Sequence, residues 1–232
     1  MEANLLSYLN SKPGTLFLYF SRSFVQLYNP KTNALETENI PQNILKDLEV
    51  ADANALAGFF QAIVLKHKLS VASVLVVLSP NTYYEKILEK TGDDQRGEVS
   101  LFLDAVPFDS LGSKIYVGGA TSRIIAINKN LCGHLVSSLE QNGLSVEAVV
   151  PAGLIPPLAS NPTLSLESAQ YVLKNIPSIK LNTITHTLEI NEDVLTDETR
   201  IKAPKTIRIY ILGGIFAVCI LLLTILVISL PR

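Results

Sequence analysis

VASVLVVL, residues Val71 to Leu78, is apolar apart from Ser73. A short continuous run of β-branched and aliphatic residues is the pattern of a strand buried on both faces, as in sheets covered by helices on either side. Just upstream, Asp52 can cap a helix running to about Lys66, because Leu56, Phe59 or Phe60, Ile63 and Val64 recur at helical spacing. Lys66 and Lys68 load its C-terminal end, where the helix dipole favours cations. A helix feeding a doubly buried strand makes the fold class α/β.

The pattern extends in both directions. Thr15 to Phe20 and Phe24 to Tyr28, around Ser21-Arg22-Ser23, read as an opening β-hairpin closed by the turn signal Asn29-Pro30-Lys31-Thr32-Asn33. Downstream, Ser79-Pro80-Asn81 opens a short helix carrying Tyr83, Tyr84, Ile87 and Leu88, broken at Thr91-Gly92-Asp93-Asp94. Val99, Phe102, Leu103 and Val106 form the stripe of the next helix, which Pro107 stops. Strands at Lys114–Val117 and Arg123–Asn128 follow, the second with Ile125 and Ile127 on one face and Ile124 and Ala126 on the other. A helix from about Asn130 to Gln141, ended by Asn142-Gly143, then feeds a strand from Leu144 to Val150, completing an αββαβ string. Ala152 to Ala159 forms one helical turn, or two interrupted by Pro156-Pro157. Leu166 to Lys174 is an amphipathic helix capped by Ser165, and Ile184, Leu188 and Ile190 suggest an edge strand. The expected organisation is an α/β domain over 1–160, a weakly patterned extension over 161–190, a polar tether over 191–206 and a transmembrane helix over 207–230.

The last of these rests on IYILGGIFAVCILLLTILVISL, Ile209 to Leu230, which holds no charge. As a helix rising 1.5 Å per residue it reaches about 33 Å, enough for a bilayer's hydrocarbon layer. Ile209, Leu212, Phe216, Leu222, Leu226 and Leu230 are the expected anchor residues. Lys202, Lys205 and Arg208 before the span, against Arg232 alone after it, put the N-terminal body on the cytoplasmic side by the positive-inside bias. The expectation is a single-pass, tail-anchored protein of the cytoplasmic membrane without a signal peptide. Gly213 and Ala217 have small-xxx-small spacing, so a homodimer through the span is possible.

The composition narrows the function classes. With 48% hydrophobic and 17% charged residues the chain can build a sizeable core. Net charge is −2, from 19 basic and 21 acidic residues, and no basic cluster exists outside the three juxtamembrane cations, so nucleic-acid binding is not expected. Cys132 and Cys219 belong to no ligand motif. Phosphate-loop, dinucleotide, zinc-protease and nucleophile-elbow motifs are all missing. His67, His134 and His186 fall on separate elements, and Asp93, Asp94 and Glu98 suit a helix start. Gly118-Gly119 suits a hairpin turn.

Three stretches, in order, resemble the cytoplasmic actin-like proteins of the type IV pilus inner-membrane platform (PilM-like) and the cytoplasmic half of the type II secretion L protein. They are Leu16–Leu27 (LFLYFSRSFVQL), Asp94–Asp109 (DQRGEVSLFLDAVPFD), with Val106-Pro107-Phe108 in place of an IPF motif, and Gln141–Ala159 (QNGLSVEAVVPAGLIPPLA). The resemblance implies half of an actin-like (ribonuclease H-like) fold. In that fold the first hairpin supplies an Asp and a Gly to a Mg-nucleotide; Tyr19 and Ser21 stand in those places here, so the metal-binding carboxylate is missing. Ser21 and Ser23 remain the residues that would donate to a phosphate if a nucleotide site survived. The second lobe, with its own phosphate loop, should begin after residue 160, where this chain instead runs toward the span. Neither a metal, a resident cofactor, ATP included, nor an enzymatic activity is therefore expected. The resemblance implies proteins of the pilus or secretion platform as partners, and hence a membrane-anchored scaffold. Two alternatives are a reduced actin-like nucleotide switch near Ser21-Arg22-Ser23 and an unrelated tail-anchored adaptor.

Overall fold

Strand β1 (Leu16–Phe20) lies at the centre of a five-stranded mixed sheet, and all five of its side chains are buried. In the computed structural model, which describes residues 15–69, 72–88, 93–118, 121–159, 161 and 163–184, β1 pairs antiparallel with β2 (Phe24–Asn29) and parallel with β6 (Ala72–Leu78). Beyond β2 lies the antiparallel edge strand β3 (Ala34–Asn39), and beyond β6 the parallel strand β10 (Leu144–Pro151), so the order is β10-β6-β1-β2-β3. A two-residue hairpin, β4 (Leu45–Lys46) and β5 (Glu49–Val50), follows β3.

The central strands are apolar without alternation because both faces are covered. On one face Leu18, Phe20, Val74, Val76 and Leu78 pack with Leu56, Phe60 and Ile63 of α1 (Ala53–Lys66) and Leu131, Leu135 and Leu139 of α3 (Lys129–Gln141). On the other, Phe17, Tyr19, Leu75, Val77, Ala148 and Val150 pack with Ala169 and Val172 of α4 (Leu166–Lys174) and Ile176 and Ile179 of α5 (Ile176–Lys180). Burying one such aliphatic or aromatic side chain contributes about 1.5–3 kcal/mol, so the two clusters dominate the stability. Residues 164–184, read from sequence as a weakly patterned extension, thus form the second covering layer. Their helix boundaries are those the cap at Ser165 indicates: its Oγ accepts from Ser168 N at 3.1 Å while Ser168 Oγ accepts from Ser165 N at 2.8 Å. Likewise Asp52 caps α1, accepting from Ala55 N at 2.9 Å.

Between β6 and α3 the chain builds a second sheet, antiparallel, in the order β7-β9-β8, from β7 (Tyr83–Leu88), β8 (Leu111–Gly118) and β9 (Thr121–Asn128). The short helix expected at Tyr83–Leu88 is instead β7. Its paired apolar positions mimic helical spacing, but Tyr83 and Leu88 are buried on opposite faces of a strand in register with β9, Tyr83 opposite Ile127 and Leu88 opposite Ser122. Helix α2 (Asp93–Ala105) precedes β8, and Lys86 pairs with its Glu98 at 2.8 Å. Where one helical turn or two were left open, there are two 3-10 turns, Ala152–Leu154 and Pro156–Leu158. Ile184 N bonds Val149 O at 2.8 Å, while Leu188 and Ile190 of the expected edge strand lie outside the described residues. No helix among the described residues is long and apolar enough to cross a membrane. The expected span over 207–230, its anchor residues Ile209 to Leu230, and Lys202, Lys205 and Arg208 lie outside the described residues.

Candidate functional site

Ligands of open α/β sheets gather at the carboxyl ends of parallel strands. Here β1, β6 and β10 end at Phe20, Leu78 and Pro151. The β1–β2 turn is closed by Ser21 N donating to Phe24 O at 2.9 Å, and Ser79 N donates to Phe20 O at 2.8 Å. Ser21 is fully buried; Asn81 Nδ2 donates to its Oγ at 3.1 Å. Ser23 is exposed, and its carbonyl accepts from Ile40 N at 2.8 Å. Arg22 projects outward within 3.7 Å of Asp47. The two serines proposed as phosphate donors therefore share a turn but face apart, one spent on Asn81 and one in solvent.

Behind this turn stand two buried phenols. Tyr19 OH donates to Asn161 O at 3.5 Å; burial raises its pKa, which the neighbouring Ser79 hydroxyl opposes. Tyr83 is held more tightly: its hydroxyl accepts from Gly153 N at 2.8 Å, and burial again drives its pKa upward, against the pull of that amide. Both phenols stay neutral. Arg123 Nη1 donates to the carbonyl of the same Gly153 at 2.6 Å and approaches Glu85 Oε2 at 3.5 Å. Tyr83, Glu85 and Arg123 are on one face of the second sheet, since β7 and β9 run in register. Tyr83 and Arg123 grip the backbone of Gly153, in the turn that follows β10, by its N–H and its C=O. A Cβ at Gly153 would fall 2.8 Å from both the Tyr83 hydroxyl and Glu85 Oε2, which explains a glycine there.

Outward of this grip the same face of the second sheet and the 153–154 turn bound a cleft of ≈ 350 Å³. It is lined by Arg123, Gly153, Asn182 and Tyr116, with Ile87 and Leu154 as its apolar margin, while Val117, paired with Ser122, points to the other face of the sheet. Ile87 is 54% exposed. Arg123 is a permanent cation with donors beyond the one spent on Gly153, and so can meet a carbonyl or carboxylate, while the margin can cover apolar side chains. That combination suits a peptide segment. Among the described residues no group of three His, Cys, Asp or Glu side chains is placed to hold a metal. His67 instead meets Glu38 Oε1 at 2.9 Å, Cys132 is buried with its thiol pushed up to about 12, and His134 is exposed. Neither Tyr83 nor the cleft residues Tyr116, Arg123, Gly153 and Asn182 stand out as a site in the sequence. Gly153 in the AGL stretch was the one available signal.

No family model matches the chain, and no curated protein matches it. Solved structures similar to it include the PilM-PilN type IV pilus biogenesis complex, at 19% identity and a TM-score of 0.43 over 62% of this chain and 50% of that one. Another is the cytoplasmic domain of EpsL, an inner membrane component of the type II secretion system of Vibrio cholerae, at 13% identity and a TM-score of 0.39 over 61% of this chain and 58% of that one. A third is a Bacteroides thetaiotaomicron protein with an actin-like ATPase fold and unknown function, at 13% identity and a TM-score of 0.35 over 60% and 54%. The two kinds of protein that the residues resemble are thus among the structures the fold is similar to. This chain spans between 50% and 58% of the length of these solved chains.

Proposed function

We propose that this protein is a non-catalytic adaptor of a type IV pilus or type II secretion-like inner-membrane platform, anchored by a C-terminal transmembrane helix over 207–230 and built on a single actin-like, ribonuclease H-like lobe. The observation that carries the reading is the contrast between its two candidate sites. The turn at Ser21 is closed by its own hydrogen bonds and brings no carboxylate with it, whereas the cleft beside Arg123 is open and has an apolar margin. The sheet order, a three-strand meander extended by two parallel strands, supports the lobe assignment. In this reading a segment of another platform protein lies in the cleft, its main chain on Arg123 and its apolar side chains against Ile87 and Leu154.

The test is recovery of partners from solubilised membranes with the tagged full-length chain. Wild type should recover platform proteins, and Ile87→Asp, a change at an exposed position on the Arg123 face, should lose them while the protein folds normally. Equal recovery by both would refute the cleft as the docking site. Calorimetry with Mg-ATP separates the nucleotide-switch alternative: heat of binding at millimolar nucleotide would favour it over the adaptor.

A further inference from the structure

Residues 182–184 cross from α5 to the edge of β10 under the open side of β8, and two side chains of β8 reach down to them. Tyr116 OH donates to Asn182 O at 3.0 Å, and Lys114 Nζ donates to Thr183 O at 2.6 Å. Lys114 and Tyr116 are alternate residues of one strand and so point to one face, with the ammonium 5.1 Å from the Tyr116 ring. From the other side the same stretch is tied to β10: Ile184 N donates to Val149 O at 2.8 Å, and Val149 N donates to Thr183 Oγ1 at 3.2 Å. Three consecutive residues therefore stitch the second sheet to the first. Both bonds are part-buried, and that burial lowers the Lys114 pKa and raises that of Tyr116.

The second sheet is held unevenly along its length. At its root Tyr83, Ile125 and Ile127 are buried in the main core, whereas at its tip, the β8–β9 end, Val117, Gly118 and Thr121 are exposed, beside the buried Leu88 and Ser122. Between root and tip it touches the main body through the Gly153 grip on the β7 and β9 side and through residues 182–184 on the β8 side. Asn182 also lines the cleft. We propose that residues 182–184 are a strap that fixes the second sheet against the first, and that releasing the strap lets the sheet swing about its root and widen the cleft. The inference rests on reading the cleft as the working site, yet its test needs no partner.

The experiment is hydrogen exchange on the full-length chain carrying Lys114→Met with Tyr116→Phe. Each lost bond should speed opening about fivefold, so β8 and residues 182–184 should exchange together about 25-fold faster. Strands β1, β6 and β10 and helices α1 and α3 should keep wild-type protection. Faster exchange in 182–184 with β8 unchanged would overturn the proposal, because the stretch would then be a passive tail. Uniform acceleration throughout would overturn it as well, because the stretch would be ordinary core. Should the double variant not fold, Tyr116→Phe alone, which keeps the ring and removes one donor, must give the same pattern at about fivefold.

Discussion

Asn128→Ala addresses the joint on which the second sheet pivots. Asn128 is 1% exposed and sits between β9 and α3, where its side chain makes four hydrogen bonds. Its Oδ1 accepts from Asn130 N at 2.9 Å and Leu131 N at 3.2 Å, capping α3. Its Nδ2 donates to Leu48 O at 3.1 Å and Glu49 Oε1 at 2.6 Å. Those acceptors belong to the β4–β5 hairpin, whose two turn residues Asp47 and Leu48 hold φ of 51° and 65°. A leucine in that left-handed region costs about 1–2 kcal/mol, so something must hold it there. The buried Leu48 side chain and the bond from Asn128 do so.

Truncation to alanine removes the cap, about 1 kcal/mol. It also strands the buried Leu48 carbonyl, about 1–3 kcal/mol. With about 0.5 kcal/mol for the bond to Glu49, which water can partly replace, the loss comes to about 3–4 kcal/mol. With a urea slope near 2 kcal/mol per molar, the unfolding midpoint of the full-length chain should fall by about 1.5–2 M. Asn128→Asp separates the two roles: it keeps both cap bonds and suits the helix dipole, but it loses both donors and sets a carboxylate against Glu49. With an acceptor then facing the Leu48 carbonyl and the Glu49 carboxylate in a buried site, its expected cost is at least that of alanine despite the retained cap. An alanine variant within about 1 kcal/mol of wild type, or an aspartate variant as stable as wild type, would refute the account of the joint.

Two further outcomes follow from the same geometry. Gly153→Ala should lower stability by about 2 kcal/mol, the worth of the two clamp bonds, because Glu85 and Arg123 can swing outward while the buried Tyr83 ring cannot retreat from the new Cβ; a thermal melt unchanged from wild type would count against the grip. Glu38 accepts from Lys66 at 2.6 Å and His67 at 2.9 Å, and the Lys66 bond leads in holding its carboxyl below the usual carboxylate range. The stability this adds is present above the unfolded carboxyl value, about 4.3, and is lost as pH falls through the lower folded value. Wild type should therefore lose stability faster than Glu38→Gln on acidification below about pH 5, and parallel urea-midpoint curves for the two would contradict it.

How much of this fold is legible in the sequence depends on whether burial or pairing decides an element. The β1 and β6 runs are read correctly because burial on both faces leaves a continuous apolar signature, and α1 and α4 because Asp52 and Ser165 announce their starts. Strand β3, ALETEN, is missed: it is an edge strand, largely exposed, and pairing with β2 alone makes it a strand. Its Glu36 and Glu38 also discourage a further strand from adding there. Strand β7 is misread for a different reason. Its buried residues Tyr83 and Leu88 lie on opposite faces with the exposed Tyr84 and Ile87 beside them, so its apolar positions do not alternate, and a six-residue segment with that pattern is as good a helix turn as a strand.

The candidate site is less legible than the fold because its key acceptors and donors are main-chain groups. Arg123 and Tyr83 bind the C=O and N–H of Gly153, and Tyr116 and Lys114 bind the carbonyls of Asn182 and Thr183. A peptide group is the same at every position, so no residue type marks where such a bond will land. What the sequence can show is the donor, and a lone Arg, Lys or Tyr in a strand reads as a solvated residue. The converse is informative: where a glycine follows a buried strand and a Cβ would collide with three polar side chains, the glycine records the contact that its own side chain does not make. In this chain Gly153 is that record. Whatever occupies the cleft therefore competes for Arg123 with a main-chain carbonyl already in place, so a docking segment must use the donors that Gly153 leaves over. Lengthening Arg123 Nη1 to Gly153 O beyond its 2.6 Å would also loosen the grip on the second sheet. If the proposed segment docks there, docking and the hold on the second sheet are coupled through one guanidinium.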